Sequence, residues 1–267
     1  MPRLDFYWRL IGTGAAFAFI FFGGGVLAVT LLPALALLPG HRRERAQLVI
    51  HRTFRSYITA LRLLGIISLR MEGLDKLRGA SGRLVVANHP TLLDVVLLMS
   101  VIPNAQCIVK YQLWNHRFLG PLMRAAGYIR NDLPAEKMIA ACKDALDRGN
   151  CLIVFAEGTR SVPGQPIRLR RGFANLAILT GAPIQPVTIA CSPPTLIKGE
   201  KWWSIPPRRP LFTLTIRDCL DTDIYMRYQY RSLAARKLVK VLDALFTEGT
   251  MNGRAGNRVE EVGRRCS

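Results

Sequence analysis

The sequence predicts an α/β protein with a mostly parallel central sheet flanked by helices, preceded by an N-terminal membrane-embedded helical segment. Two observations carry that prediction. Short apolar runs alternate with helical patterns from Leu84 onward, as a parallel sheet with crossover helices requires. Ahead of them, Leu10 to Pro39 contains no charged residue, a run of 30. Half of the 267 residues are hydrophobic, which excludes a disordered tail. The formal charge of +19 predicts anionic partners.

The first element is the charge-free run. It exceeds the roughly 20 residues that cross a bilayer as a helix. A cleaved signal peptide with Ala34-Leu35-Ala36 as its cleavage site is the alternative, although such apolar regions usually measure about 7–15 residues. Gly23-Gly24-Gly25 and Pro33 interrupt the run, so one kinked helix and a re-entrant pair both remain open. Residues 1–40 are therefore predicted as a membrane anchor. Between Arg45 and Met71 come five arginines and no acid, with Ile50, Phe54, Tyr57, Ile58, Leu61 and Leu64 at helical spacing. Residues 41–70 read as a basic amphipathic helix on anionic headgroups, or equally as a surface helix of the main domain. The positive-inside bias puts the remainder on the cytoplasmic side of the inner membrane.

Residues 71–250 form the predicted main domain, and 251–267 a loose tail. Within it, Leu84–Ala87 is a strand and Leu92 to about Val101 a helix. Cys107–Lys110 is the next strand, followed by a helix across Arg117–Ala126. Tyr128–Arg130 is a short strand, and the helix after it starts near Pro134 and stops at Gly149. Cys151–Ala156 is the clearest buried strand. Arg170–Leu179 is helical with Gly181 beyond it, and Ile184–Ala190 and Leu211–Ile216 are strands. A charged amphipathic helix spans about Tyr225–Phe246.

Polar residues gather after these strands: Asn88-His89, Arg130-Asn131-Asp132 and Glu157-Gly158-Thr159-Arg160. In open α/β sheets ligands bind outside the carboxyl ends of the strands, so parallel strands would bring the three groups to one rim. His89 is followed five residues later by Asp94. A carboxylate there can hold one ring nitrogen as donor and leave the other free to take a proton. Thr91-x-x-Asp94 is also a capping-box pattern, so Asp94 has a structural reading too. Backbone N–H groups at the start of the Leu92 helix are candidates for steadying an oxyanion. The Glu157–Arg160 turn offers N–H groups, Thr159 and a guanidinium to an anion.

Several chemistries are excluded. The six cysteines contain no CxxC and the histidines show no metal-ligand spacing, so no metal is predicted. There is no G-x-S-x-G for a serine triad. Aromatics are only 8% and not interleaved with the basic residues, so no nucleic-acid partner is predicted.

Taken together, Asn88-His89-x-x-x-x-Asp94 and Phe155-x-Glu157-Gly158-Thr159-Arg160 resemble the glycerolipid acyltransferase family, whose type member is 1-acylglycerol-3-phosphate acyltransferase. The intervening Lys110, Leu119-Gly120 and Gly127-Tyr128-Ile129-Arg130, and the later Arg171-Gly172 and Pro183-Ile184-Gln185-Pro186-Val187, follow in the family's order. The resemblance covers about Leu84–Ala190. It implies His89 as the general base on an acceptor hydroxyl, oriented by Asp94, with direct attack on an acyl thioester. It implies Glu157, Gly158, Thr159 and Arg160, with Arg130 and Lys110, at the acceptor's phosphate end, and Pro186 and Val187 on the acyl-donor side. The partners implied are membrane lipids and a coenzyme A or acyl-carrier-protein thioester, with no further cofactor. Two positions depart from the family: Ala156 stands where proline is usual, and Pro90-Thr91 replaces the commoner pair after the histidine. A lysophospholipid acceptor giving phosphatidic acid is the leading expectation, and a lyso-aminolipid such as lyso-ornithine lipid the second. A non-catalytic polybasic membrane protein is the third.

Overall fold

The computed structural model describes residues 2–23, 25–26, 30, 40–162, 165 and 167–263. Its strands are β1 (Ser68–Glu72), β2 (Leu84–Ala87), β3 (Ala105–Val109), β4 (Ile129–Arg130), β5 (Cys151–Phe155), β6 (Ile184–Ser192) and β7 (Leu211–Ile216). They form one sheet in the order β1-β7-β6-β2-β5-β3-β4. Every pairing is parallel except β6 with β7. No helix intervenes between β6 and β7, so no crossover exists to bring the chain back in the parallel sense.

The helices are α1 (Pro2–Ala18), α2 (Arg42–Leu63), α3 (Asp94–Val101), α4 (Tyr111–Trp114), α5 (Gly120–Ala125), α6 (Ala135–Asp147), α7 (Gly172–Thr180), α8 (Asp223–Met226) and α9 (Arg231–Gly263). Residues of β2 alternate between two cores, as a period of two on a doubly covered strand demands. Val85 and Ala87 join the α2–α3 side, and Leu84 and Val86 join the α6–α7–α9 side. β2 lies between β6 and β5, so its C-terminal end is at the middle of the sheet.

Three elements differ from the sequence prediction. β1 falls where the basic helix was expected to end; it is a short, half-buried edge strand with no run of apolar residues to signal it. The expected Tyr225–Phe246 helix is broken into α8 and α9. α9 is helical past Gly249, where a loose tail was expected.

Of the membrane anchor predicted over residues 1–40, only part lies within the described residues. Among the described residues no helix is long and apolar enough to cross a membrane. Pro33 and Ala34-Leu35-Ala36 lie outside the described residues. What is described docks on the domain. Arg9 is 1% exposed and donates to the carbonyls of Pro206 and Pro207 at 2.8 and 2.9 Å, while pairing with Asp5. Gly12 and Gly14 let α1 approach closely, since a Cβ there would meet Ile66 and Trp202. A helix that seats a guanidinium among protein carbonyls has a face built for this domain. α2 likewise buries Ala46, Ile50, Tyr57, Ile58 and Leu61 and leaves Arg52, Arg55 and Arg62 outside.

Candidate active site

β2 ends at Ala87, and Asn88 then continues its ladder with a side chain. The Asn88 amide donates to Ile189 O at 2.8 Å and accepts from Ile189 N at 2.7 Å. It thus satisfies both groups of β6 beyond the last paired backbone position, Ala87 with Val187. That clamp fixes where the chain turns, and His89 is the next residue.

His89 is held from four directions. Its Nδ1 lies 2.8 Å from Asp94 Oδ2. Its ring stacks on Phe155 of β5 with centroids 3.9 Å apart. Its backbone N–H donates to Glu157 Oε1 at 3.0 Å, and its carbonyl accepts from Ser161 N at 2.7 Å. The side chain remains 19% exposed, so the ring is oriented but reachable.

Asp94 is fully buried at the first turn of α3. Besides His89 it accepts from Thr91 N at 2.7 Å and Thr91 Oγ1 at 2.6 Å. One carboxylate thus closes the 89–94 turn and holds the imidazole. Burial raises the Asp94 carboxyl above its ordinary value, opposed by the hydrogen bonds from His89 and Thr91. A carboxylate so placed fixes the proton on Nδ1 and leaves Nε2 as the basic nitrogen.

The Glu157–Ser161 loop wraps this turn. Glu157 is buried, and its Oε1 also accepts from Ser161 Oγ at 2.5 Å. Gly158 has φ +67 and sits exposed against the Arg170 side chain, whose Nε donates to Glu157 O at 3.1 Å. Thr159 is exposed. Arg160 Nη1 donates to Leu196 O and Ile197 O at 3.2 and 3.1 Å, tying the loop to the segment after β6.

The other sequence-predicted residues are placed differently. Lys110 is exposed at the end of β3. Arg130 ends β4, pairs with Asp132 at 2.5 Å and lies over the Tyr111 ring at 5.2 Å. β4 stands three strands from β2, about 14 Å at the usual 4.8 Å spacing. Pro186 and Val187 are buried in β6 opposite Val86 and Ala87, where they pack rather than line a surface. The proposed oxyanion donors at the α3 start are already committed: Leu92 N donates to Leu196 O and Leu93 N to Thr91 Oγ1. The sequence reading counted Ser161 only as a donor of the turn and passed over Asn88's clamp and Arg170. A serine and an arginine in loops carry no pattern that marks them, and only the folded contact reveals their part.

Two of the thiols are held protonated by burial. Burial pushes Cys191, the thiol whose environment includes Asp94, up to about 12, and Cys107 to about 12. Among the described residues no group of His, Cys, Asp and Glu could hold a metal ion.

Beside the His89 turn lies an apolar cavity of about 60 Å³ between α1, α2 and α3, lined by Leu92, Leu93, Val96, Leu196, Phe17 and Tyr57 among others. Arg9 and Thr13 are its polar edge on α1.

Comparison with known proteins reads the same residues. Residues 68–190, from β1 through most of β6, match the family model described as Acyltransferase. Over these residues the chain is similar to the glycerolipid acyltransferase family. A 113-residue segment of the chain is 32% identical to a 1-acyl-sn-glycerol-3-phosphate acyltransferase of Helicobacter pylori, covering 40% of this chain and 48% of that protein. A 173-residue segment is 24% identical to the chloroplastic 1-acyl-sn-glycerol-3-phosphate acyltransferase BAT2 of Brassica napus, covering 61% and 48%. The chain thus spans about half the length of these curated relatives. The crystal structure of the 1-acyl-sn-glycerophosphate (LPA) acyltransferase PlsC from Thermotoga maritima aligns with a TM-score of 0.71 at 20% identity, over 93% of this chain and 97% of that one. At that identity the likeness establishes a shared fold. The acyltransferase domain is therefore an α/β sheet with its His89–Asp94 pair on the central strand's rim.

Proposed function

We propose that the protein transfers a fatty acyl group from an acyl thioester to the free hydroxyl of a lysophospholipid, 1-acyl-sn-glycerol 3-phosphate being the acceptor named in its relatives. One observation carries the reading: a histidine held 2.8 Å from a buried carboxylate, its ring stacked and its backbone clamped, at the end of the central strand. Nε2 of His89 takes the proton of the acceptor hydroxyl as its oxygen attacks the thioester carbonyl carbon. The tetrahedral intermediate collapses with cleavage of the C–S bond, and the imidazolium returns the proton to the departing thiolate. General-base assistance of this kind is worth about 10²–10⁴-fold, and orientation of both substrates contributes the remainder.

The neighbouring surfaces suit the substrates. Gly158 and Thr159 are exposed beside the clamped turn, with Arg170 packed on Gly158 as a source of positive charge for a phosphate. The cavity beside Leu92 is apolar and adjoins the same turn, as a hydrocarbon chain requires. Membrane association is part of the proposal. α1 is apolar on its solvent side too, with Leu4, Tyr7, Trp8 and Ile11 exposed at helical spacing, and α2 presents Arg52, Arg55 and Arg62. An interfacial helix resting on an anionic, cytoplasm-facing leaflet has this composition.

The test is acyl transfer from coenzyme A and acyl-carrier-protein thioesters by wild type and His89→Ala, with lysophosphatidate and lyso-ornithine lipid offered side by side. Product from lysophosphatidate in wild type alone supports the reading. Product from the aminolipid alone keeps the mechanism and changes the acceptor, and turnover surviving in His89→Ala overturns the general base.

A further inference from the structure

The connection between β6 and β7, residues 193–210, contains no helix or strand. It leaves β6 at the rim that carries His89, because β6 and β2 run parallel. Long connections without secondary structure of their own are usually functional.

Leu196 marks the point where this connection meets the site. Its φ of +53 is one that a bulky side chain rarely adopts. A residue in that state persists only where its surroundings hold it. Two donors do so here. Leu92 N, from the turn after His89, and Arg160 Nη1, from the loop after β5, converge on Leu196 O at 3.1 and 3.2 Å. The same Nη1 donates to Ile197 O at 3.1 Å. The Leu196 side chain, thus placed, is buried and forms part of the apolar cavity wall with Leu92, Leu93 and Val96.

Arg160 has donors to spare. A guanidinium carries five N–H groups in a planar fork, and Nη1 supplies the two on these carbonyls. The Nε–Nη2 edge makes no hydrogen bond among the described residues, and the side chain is half-buried rather than enclosed. Two parallel N–H groups on such an edge fit a phosphate bidentately. Gly158 and Thr159, immediately before it, are exposed.

We propose that Arg160 is a positioning residue that couples the acceptor's phosphate to the apolar cavity. Nη1 holds Leu196 as a wall for a substrate's hydrocarbon chain, and a phosphate on the Nε–Nη2 edge fixes the guanidinium and, with it, that wall. The inference rests on the acyl-transfer reading above and deepens it: headgroup capture and chain fit are one event. Coupling of this kind is reciprocal, so a chain seated against Leu196 tightens the hold on phosphate. It also distinguishes Arg160 from a phosphate ligand alone, which would affect every chain equally.

The experiment is titration calorimetry of the full-length protein in detergent. The ligands are glycerol 3-phosphate, which has no chain, and the dodecanoyl and octadecanoyl forms of lysophosphatidate and of the coenzyme A thioester. The variants are Leu196→Gly, Arg160→Ala, Arg160→Lys and the Leu196→Gly/Arg160→Ala pair. Glycine accepts φ +53, so Leu196→Gly removes the wall and lets the backbone keep its path. In wild type one chain is preferred over the other by about tenfold in Kd, in whichever ligand pair seats its chain in the cavity. That pair identifies the chain as the acceptor's or the donor's. Leu196→Gly and Arg160→Ala each bring the preference within about twofold, and the two together do no more than either alone, because both act through one contact. Arg160→Ala also weakens glycerol 3-phosphate about tenfold. Arg160→Lys restores that binding in part and leaves the chain preference lost, since an ammonium cannot serve two carbonyls and a phosphate together. Weaker glycerol 3-phosphate binding in Arg160→Ala with the chain preference intact overturns the proposal and makes Arg160 a phosphate ligand only. An intact preference in Leu196→Gly, or none in wild type, overturns it as well. A wild type that binds as expected and transfers no acyl group sinks the proposed function and leaves the coupling standing, because the titrations need no turnover.

Discussion

The Glu157 carboxylate accepts the backbone N–H of His89 at 3.0 Å, so a residue after β5 fixes the turn after β2. The same oxygen accepts from Ser161 Oγ, and Ser161 N returns a hydrogen bond to the His89 carbonyl. A glutamate buried and engaged in this way positions the imidazole. Glu157→Ala leaves a buried N–H without its acceptor, at a cost of about 1–3 kcal/mol, and lets the imidazole move. The expected kinetic signature is a fall in kcat of about 10–100-fold with little change in the acceptor's KM. A rise in KM alone would instead mark Glu157 as a substrate ligand. Glu157→Gln, which keeps an acceptor oxygen, recovers part of the rate.

Asp94 makes stability depend on pH in a definite direction. Its folded carboxyl is raised, chiefly by burial, above the unfolded value of about 3.9. Between the two values the folded chain binds more protons than the unfolded chain. This contribution therefore favours folding at low pH and is lost as pH rises through the folded pKa. Urea unfolding of wild type and Asp94→Asn across the acidic range should show the wild-type free energy falling relative to the variant with increasing pH. The same variant should lose about 10²–10⁴-fold in kcat, because an amide does not hold the Nδ1 proton as a carboxylate does.

Arg9 ties α1 to the segment before β7. Truncation in Arg9→Ala removes three hydrogen bonds, to Asp5, Pro206 and Pro207, and leaves the Pro206 carbonyl without its buried donor. The expected loss is about 2–4 kcal/mol, read as a lower urea midpoint with detergent held constant.

Leu4 and Ile11 occupy the outward face of α1 and are 79% and 68% exposed. Placing lysines there touches no core contact. Leu4→Lys/Ile11→Lys should weaken sedimentation with anionic phosphatidylglycerol vesicles by about 1–2 kcal/mol per site while leaving the unfolding midpoint in place. Equal vesicle binding by the variant would rule out this face as the contact.

Much of the fold was legible from the chain because its strands are buried on both faces. Leu84–Ala87 and Cys151–Phe155 read as continuous apolar runs, and the helix stop at Gly149 and the cap at Gly181 follow from residues that accept positive φ. β1 was not legible: an edge strand of half-buried residues has no such run. The His89–Asp94 pair was legible because a five-residue separation closes within one turn, a local matter of chain geometry.

By itself the sequence determined the α/β alternation, the cationic surplus and the local partners of the imidazole, all of which depend on residues close together in the chain. Tertiary structure alone decided the rest. Strand order put Arg130 three strands from His89 although both follow parallel strands, because sequence position does not encode a strand's place in the sheet. It brought Glu157, 68 positions away, onto the His89 backbone, and it turned the polar face of α1 toward the carbonyls of Pro206 and Pro207. These contacts form between distant segments, and no local pattern of residue types specifies which buried donor will find which acceptor.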